Sequence, residues 1–347
     1  MMKIRMEDGA GGEGMAKFLE SYVLRLLSKR RAGEIGLDEL DDGASVRDFI
    51  FTVDGHTVRP LIFPGGDIGR LSVSGTVNDL AVMGAKPLAL SSSMIIEAGF
   101  EGELLERILR SMDDTMREAG VPIVCGDTKV VEEKIGLFVT TSGIGEGNGA
   151  LMRNIEVIRE YRDYPHRFIV DRGLGEGDLI IVSGTVADHG MAILSLRKGI
   201  EFESGIESDV APLWGMIEQA MACGGITAMK DPTRGGLSNA LNELARKSGV
   251  GIEIDEERIP VKREVLAASE MLGLNFLDMA SEGRVVMGVV REYAEEVLRA
   301  LRRSRYGKDA EIIGEVRGES GEVIMRTRVG GRRVIRPPIG DPVPRVC

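Results

Sequence analysis

Acidic residues stand at Asp41-Asp42, Asp54, Asn78-Asp79 and Asp127, each at or near the end of an expected strand or helix. Magnesium prefers hard oxygen ligands and usually bridges a few carboxylates to substrate phosphates, so carboxylates converging from separate loops could hold a metal with a nucleotide. Helix capping and ordinary loop composition also account for these residues. Spacing alone leaves both readings open. Three further clusters mix functional groups. Cys125-Gly126-Asp127-Thr128-Lys129 directly follows an expected strand and combines an acid, a hydroxyl and an ammonium. Asp231-Pro232-Thr233-Arg234-Gly235-Gly236 opens an expected helix and could present its N-terminus and Arg234 to an anion. Ser281-Glu282-Gly283 sets one acid just before a strand. Their plain readings are a turn, an N-cap and a loop acid.

The sequence closes on Cys347, and four of its 12 prolines (337, 338, 342 and 344) fall in the last 11 residues. Such a stretch cannot be helical; in a polyproline form at ~3.1 Å per residue, residues 336–347 reach roughly 34 Å. That exceeds the radius of gyration, about 15 Å, of a domain of ~160 residues. A thiol on this arm is accessible, as the carrier of a covalent group must be; the alternative is a fortuitous cysteine on a disordered tail. Cys125 and Cys223, flanked by apolar residues, read as inert core thiols, and His189 reads as a structural or capping residue.

The elements that must position these groups follow from periodicity. Helices are expected over 13–31, from about 64 to 83, 103–119, from 187, around 214, 237–247 and 293–303. Strands are expected over 49–53, 58–63, 88–96, 121–125, 135–142, 179–182, 251–254 and 284–290, with a pair near 311–328. Residues 143–149 read as a glycine-rich break and the charged stretch after it as a connector. Strands alternating with helices in 347 residues argue for two α/β or α+β domains. The organisation is a glycine-rich segment and helix (1–36), an N-terminal domain (37–150), a connector (151–176), a C-terminal domain (177–330) and a flexible tail (331–347). Gly9-Ala10-Gly11-Gly12-Glu13-Gly14 matches G-x-G-x-x-G, but no buried strand follows its helix, so a dinucleotide fold fails on context. A flap approaching phosphate and a flexible lead-in both remain open. The repeated Ser-Gly-Thr-Val at 74–77 and 183–186 is too short to establish duplication.

The net charge of −11 and the 4% aromatic content argue against nucleic-acid binding and anionic membrane surfaces. No apolar run approaches the ~20 residues of a membrane span, and three scattered cysteines exclude a disulfide scaffold and a CxxC zinc site. A cytoplasmic location is the expectation.

With these clusters in place, the chain resembles the HypE family of hydrogenase maturation proteins, within the aminoimidazole ribonucleotide synthetase-like superfamily. The resemblance runs through Phe63-Pro64-Gly65-Gly66-Asp67-Ile68-Gly69, Gly75-Thr76-Val77-Asn78-Asp79-Leu80, Gly126-Asp127-Thr128-Lys129-Val130-Val131 and Val182-Ser183-Gly184-Thr185-Val186-Ala187-Asp188-His189-Gly190. It continues through Asp231-Pro232-Thr233-Arg234-Gly235-Gly236, Gly307-Lys308-Asp309-Ala310 and the ending Pro344-Arg345-Val346-Cys347. It implies a two-domain α/β (α+β) fold with an extended C-terminal tail, a homodimer built through the first domain, and ATP with Mg2+. A carbamoyl group loaded on Cys347 by the carbamoyltransferase HypF would be dehydrated to a thiocyanate, and the cyano group delivered to iron on a HypC–HypD complex for nickel–iron hydrogenase. By motif, Asp41, Asp42, Asp54, Asn78, Asp79 and Asp127 would face the nucleotide, the five aspartates as metal ligands. Thr233 and Arg234 would lie near the phosphates. Lys129 and Glu282 are the candidate bases, Lys129 only if its pKa is depressed. Asp8, Leu40 and Ser281 depart from the family's usual histidine, glycine and asparagine. Another synthetase or small-molecule kinase of the superfamily, and a non-catalytic maturation scaffold, are the rival readings.

Overall fold

The computed structural model describes residues 3–200, 205–340, 342–343 and 345–347; Pro344 of the closing motif lies outside the described residues. After a short 3-10 turn (Met6–Gly9), α1 (Gly12–Phe18) is continued by a wider helical turn over Leu19–Leu24. The helix stops at Leu26, short of the expected 31. Leu26 and Leu27 are exposed, so the apolar stripe finds no core there.

The N-terminal domain then forms β1 (Ala44–Val46), β2 (Phe49–His56), β3 (Ile62–Phe63), β4 (Gly66–Asp67), α2 (Ile68–Val82), β5 (Lys86–Glu97), α3 (Gly102–Ala119), β6 (Ile123–Val131) and β7 (Leu137–Glu146). Pro60 has no N–H for a ladder, and the strand expected over 58–63 shrinks to Ile62–Phe63. Asp67 caps α2 by accepting the Arg70 N–H at 2.9 Å. That helix is buried nearly all round, between a five-stranded sheet and the second domain. The sheet order is β1-β2-β7-β5-β6, antiparallel except for β5–β6.

Helix α2 covers one face of this sheet and α3 packs on α2; the other face leaves Phe51, Val53, Ile95 and Ile144 exposed. Ser93 pairs with Asp127 and Ile95 with Lys129, so both charged residues project from that open face. The stretch from Cys125 to Lys129, expected as a turn, is strand. It reads as polar because β6 is an edge strand with solvent on both sides. For the same reason Cys125 is exposed rather than a core thiol, while Cys223 is half-buried. The expected break at 143–149 is also strand as far as Glu146. Gly143 admits α2 closely: a Cβ there would lie 2.8 Å from Leu80. The expected connector contains α4 (Gly149–Tyr161), capped by Asn148 and buried along Leu151, Ile155 and Ile158.

The C-terminal domain runs through β8 (Leu179–Val182), α5 (Asp188–Lys198), α6 (Trp214–Met221), β9 (Ile226–Lys230), α7 (Gly236–Ser248), β10 (Ile252–Asp255), α8 (Arg263–Leu272), β11 (Val286–Val289), α9 (Ala294–Arg303), β12 (Glu311–Val316), β13 (Val323–Arg326) and β14 (Arg332–Ile335). Its seven-stranded sheet has the order β14-β13-β10-β12-β8-β11-β9, with only β10–β13 parallel. β9, buried at every position, offers no alternation to read, and β14 is an edge strand with only Ile335 buried. α8 was likewise absent from the expected elements. The two Ser-Gly-Thr-Val stretches differ, one inside α2 and the other a loop after β8, so they mark no duplication. The fold is the expected two-domain α/β (α+β) class in its α+β form. Among the described residues, no helix is long and apolar enough to cross a membrane.

Asn78 fastens the domains together. Its Nδ2 donates to the carbonyls of Ala211 (3.0 Å) and Glu282 (3.3 Å), and its Oδ1 accepts the Leu213 N–H at 2.8 Å. All of this is buried, which makes Asn78 an interdomain bond and sets the next residue, Asp79, at the domain boundary.

Candidate functional site

A cleft of about 480 Å³ opens where β2, α2 and the loop before α7 meet the start of α1. Asp42, Asp79 and Asp231 bring one oxygen each within 4.8 Å of one another. The Thr52 hydroxyl ties two of their strands of chain together, 2.7 Å from the Asp42 carbonyl and 2.9 Å from Asp79 Oδ2. Burial first, then Asp171 and Asp231, push the Asp42 carboxyl up to about 8 against the pull of Lys230. Burial and the neighbouring Asp231, Asp54 and Asp42 lift Asp79 well above the carboxylate range. Burial also takes Asp231 to about 6. Three hard donors thus repel one another in a confined space, and Asp42 Oδ2 is buried with no hydrogen-bond partner among the described residues. This donor set fits Mg2+, whose charge would relieve the repulsion.

Two lysines brace the cleft floor. Lys230 Nζ reaches Asp42 (2.8 Å), Asp171 (3.1 Å) and Glu243 (3.2 Å); Lys247 Nζ reaches Asp41 (3.0 Å) and Asp171 (2.6 Å). Burial opposes the charge on Lys230, but Asp171, Asp42 and Glu243 outweigh it and raise its pKa well above normal. Lys247 also donates to the Leu40 carbonyl at 2.6 Å. Leu40 itself has φ 50°, ψ 36°, a left-handed conformation that costs a non-glycine roughly 1–2 kcal/mol. The leucine therefore occupies a backbone geometry that suits the family's usual glycine.

A second cavity, of about 630 Å³, adjoins the first, lined by the N-terminal segment, Gly55, Thr57, Arg234 and the end of the tail, including Cys347. Asp8 lines it too. The tail is folded back over the protein, with Val343 and Val346 buried. On its way it passes between the two glycine-rich stretches: a Cβ on Gly12 would lie 2.2 Å from the Pro338 carbonyl oxygen, and one on Gly235 3.1 Å from Pro338 Cγ. The segment at Gly9–Gly14 is thus built against the tail, with Gly11 and Gly12 lining the first cleft. Arg234 lines both cavities. The negative charge at Cys347 first, then, against the opposing burial, Asp54, Glu282 and Asp79, hold its guanidinium firmly protonated.

Of the residues singled out in the sequence, Asp41, Asp42, Asp54, Asp79, Thr233 and Arg234 line the first cleft. Asp41 is engaged by Lys247, and Asp54 lies 3.6 Å from His56. Glu282 is buried, its N–H donated to Asp209 at 3.1 Å and its Oε1 without a hydrogen-bond partner among the described residues. Burial, reinforced by Asp231, Asp54 and Asp209, lifts its carboxyl well above normal. Ser281 beside it accepts the Ala187 N–H at 2.9 Å. Asp127 and Lys129 are not brought to the cleft of their own chain: three strand spacings of ~4.8 Å, roughly 14 Å, separate β6 from β2. They pair with each other in the open, and this bond raises the Lys129 pKa, opposite to what a base requires. Sequence reasoning singles out the Asp231 cluster for Arg234 but does not count Asp231 among the candidate ligands. Lys230, Asp171 and Lys247 carry no local motif and were missed entirely.

Two family models cover most of the chain: AIR synthase related protein, N-terminal domain, at residues 40–146, and the corresponding C-terminal domain at 175–326. The chain is 42% identical to the carbamoyl dehydratase HypE of Rhizobium leguminosarum bv. viciae, over 99% of this chain and 95% of that protein. Among solved structures, it is similar to a HypE–HypF complex (TM-score 0.81, 42% identity, 93% of this chain and 99% of that one). It is also similar to HypE in complex with ATP (TM-score 0.79, 35% identity, 99% of this chain and 100% of that one). Two AIR synthase related domains, joined over a carboxylate cleft and matched along their whole length, place this chain in the HypE family of hydrogenase maturation proteins.

Proposed function

We propose that this protein is an ATP-dependent carbamoyl dehydratase that converts an S-carbamoyl group on its own Cys347 into a thiocyanate for nickel–iron hydrogenase maturation. The observation that carries the reading is the position of Arg234, which borders both the carboxylate cleft and the cavity holding Cys347. A group on that sulfur and a triphosphate in the cleft would share one guanidinium.

The reaction needs an oxygen to leave from an amide carbon. Phosphoryl transfer from ATP to the carbamoyl oxygen turns it into a phosphate leaving group, and the nitrogen then loses both protons as the C–O bond breaks and C≡N forms. ADP and phosphate are the co-products. Arg234 is placed to bind oxygens of the transferring phosphoryl group. Asp42, Asp79 and Asp231 would hold Mg2+, which when bound neutralises phosphate charge. Glu282 is our candidate acceptor for the nitrogen protons, since its raised pKa gives the ionised form high proton affinity. Thr233, Asp41 and Asp54 complete the cleft wall on which the nucleotide would lie.

The open, apolar face of the N-terminal sheet supports a homodimer through that face. This is the arrangement in which Asp127 and Lys129 could serve a cleft, that of the second copy. A HypF carbamoyltransferase would load Cys347, and a HypC–HypD complex would accept the cyano group, both in the cytoplasm. Intact mass after incubation with the carbamoyl-donating system and Mg-ATP tests the reading. Wild type should gain one carbamoyl group and then lose one water, and Cys347→Ala should do neither. ATP consumption by the Cys347→Ala variant with a small-molecule acceptor would instead favour a superfamily kinase or synthetase. Carbamoylation without ATP consumption would favour a scaffold.

A further inference from the structure

The last described residues lie between two walls. Arg345 is left-handed (φ 56°), and the carbonyls of residues 345–347 find partners on both walls. The Cys347 carbonyl oxygen accepts from Thr57 N–H and Thr57 Oγ1, both at 3.1 Å, and the Arg345 carbonyl accepts from Arg59 N–H at 3.2 Å. Both donors follow β2 in the N-terminal domain, and the Arg345 carbonyl also accepts from Arg197 Nη2 of α5 at 2.6 Å. The Val346 carbonyl faces the other way, into α5, where His189 Nε2 lies 2.7 Å from it. Val346 and His189 are both buried, so without the imidazole this carbonyl would be an unsatisfied acceptor in the tucked arrangement.

The surroundings fix which ring nitrogen carries the proton. The Val346 carbonyl can only accept, so the proton of the neutral ring sits on Nε2, aimed at Val346. Nδ1 then accepts from the Ser208 hydroxyl at 2.7 Å, whose oxygen takes the Val210 N–H at 3.1 Å. Phe63 packs edge-on against the ring, 5.2 Å between centroids, and burial holds the imidazole pKa below normal, against the opposing pull of Val346 and Asp209. The result is a neutral imidazole in one tautomer with one outward donor.

We propose that His189 is a positioning residue that clasps the tail through the Val346 carbonyl and so holds Cys347 in the cavity beside Arg234. Its role in turnover rests on the reading that Cys347 carries the reacting group; the clasp itself does not. His189 touches no reacting atom. It sets the balance between a tucked tail, competent for dehydration, and a released one, competent for loading and delivery.

The test follows alkylation of Cys347 by iodoacetamide in the full-length protein with Mg-ATP, read on the C-terminal peptide by mass spectrometry so that Cys125 and Cys223 do not contribute. His189→Ala should accelerate alkylation about tenfold, the effect of one lost hydrogen bond that leaves its acceptor buried. His189→Gln, whose amide can reach the same carbonyl, should restore the slow rate. In carbamoylated protein, His189→Ala should slow ATP-dependent loss of water by about the same factor without slowing loading, whereas a general loss of structure would slow both. An unchanged alkylation rate in folded His189→Ala, or failure of Gln to restore it, overturns the clasp. If His189→Ala does not fold, His189→Phe decides, since it keeps a ring against Phe63 while removing the donor; acceleration supports the clasp and an unchanged rate overturns it. Failure of carbamoylated wild type to lose water would overturn the dehydratase reading while leaving the alkylation comparison intact.

Discussion

Arg234 and Cys347 line one cavity although 113 positions separate them in sequence (347 − 234). The charge at Cys347 is the largest single influence keeping the guanidinium protonated. Because Arg234 also borders the carboxylate cleft, it is the point at which cargo on the tail and phosphate in the cleft would meet. The loop that carries it is held from behind: Ser281 N–H donates to the Pro232 carbonyl at 3.0 Å, and a Cβ on Gly236 would lie 2.5 Å from the Met279 carbonyl oxygen.

Arg234→Ala is expected to lower the ATP-dependent water loss about 10²–10³-fold, the usual cost of removing one donor aimed at transition-state charge. Arg234→Lys should recover only part of this, because an ammonium cannot reproduce the planar fork. Single-turnover mass spectrometry of carbamoylated protein gives both rates. Equal rates for wild type and Arg234→Ala would remove Arg234 from the chemistry.

As the proposed proton acceptor, Glu282 should give the reaction a pH dependence. Burial, Asp231, Asp54 and Asp209 raise its carboxyl well above the usual range, with Arg234 opposing. A raised pKa keeps the group protonated, and unable to accept, at pH values where an ordinary glutamate is ionised. The rate of water loss should therefore climb with pH through the displaced pKa, giving an ascending limb above the normal carboxylate range. Glu282→Gln should abolish the limb and lower the rate about 10²–10⁴-fold. A limb surviving in that variant would assign the proton to another group.

The sequence made the cleft partly legible because several of its carboxylates sit in short motifs. Asp42 and Asp79 follow turns or helical patterns, and the Asp231–Gly236 cluster announces itself by composition. Glu282 is likewise visible as a lone acid before a strand. The bracing ion pairs were illegible: Lys230 lies in a short buried strand and Asp171 in a stretch read as connector, and only tertiary contact joins them to Lys247. Asn78 was readable as a motif member but not as an interdomain bond, since its partners lie more than 130 residues away. On the fold side, edge strands misled the reading. β6 and β14 expose polar residues on both faces, and polarity without alternation resembles a turn or a tail.

Mg-ATP binding should raise the melting temperature, since ligand at about 100 times its Kd adds about 2.7 kcal/mol of stability. Asp231→Asn removes one of the three clustered carboxylates. It should erase most of the Mg2+-dependent part of the shift while retaining any shift that ATP alone produces. Thermal unfolding with ATP, with and without Mg2+, separates the two parts. An undiminished Mg2+-dependent shift would place the cation elsewhere.

Ile95 and Ile144 are partly exposed on the open sheet face; neither lines the cleft, although Ile144 pairs with Phe51, which does. Burial of that face by a second copy predicts a dimer in solution for wild type and a monomer for the double variant Ile95→Glu, Ile144→Glu. Light scattering reads the mass directly. If Asp127 and Lys129 act across the dimer, the monomeric variant should also lose dehydration while its cleft still binds Mg-ATP. A monomeric wild type would exclude the arrangement.

Gly12 tests how the tail is held from its other side. Its φ of +65° already disfavours a side chain, and a Cβ would stand 2.2 Å from the Pro338 carbonyl oxygen, a backbone atom that cannot rotate away. Gly12→Ala must therefore shift either the start of α1 or the tail. The tail is the lighter partner, joined to the body beyond Pro338 through Val343 and residues 345–347 among the described residues. The substitution should accelerate alkylation of Cys347 severalfold. The Mg2+-dependent thermal shift should persist, because Asp42, Asp79 and Asp231 do not rest on this contact. Combined with His189→Ala the two effects should add, since the sites hold different parts of the tail and share no partner. A rate in Gly12→Ala equal to that of wild type would mean that α1, not the tail, yields, and the Mg2+-dependent shift would then fall instead because Gly12 lines that cleft.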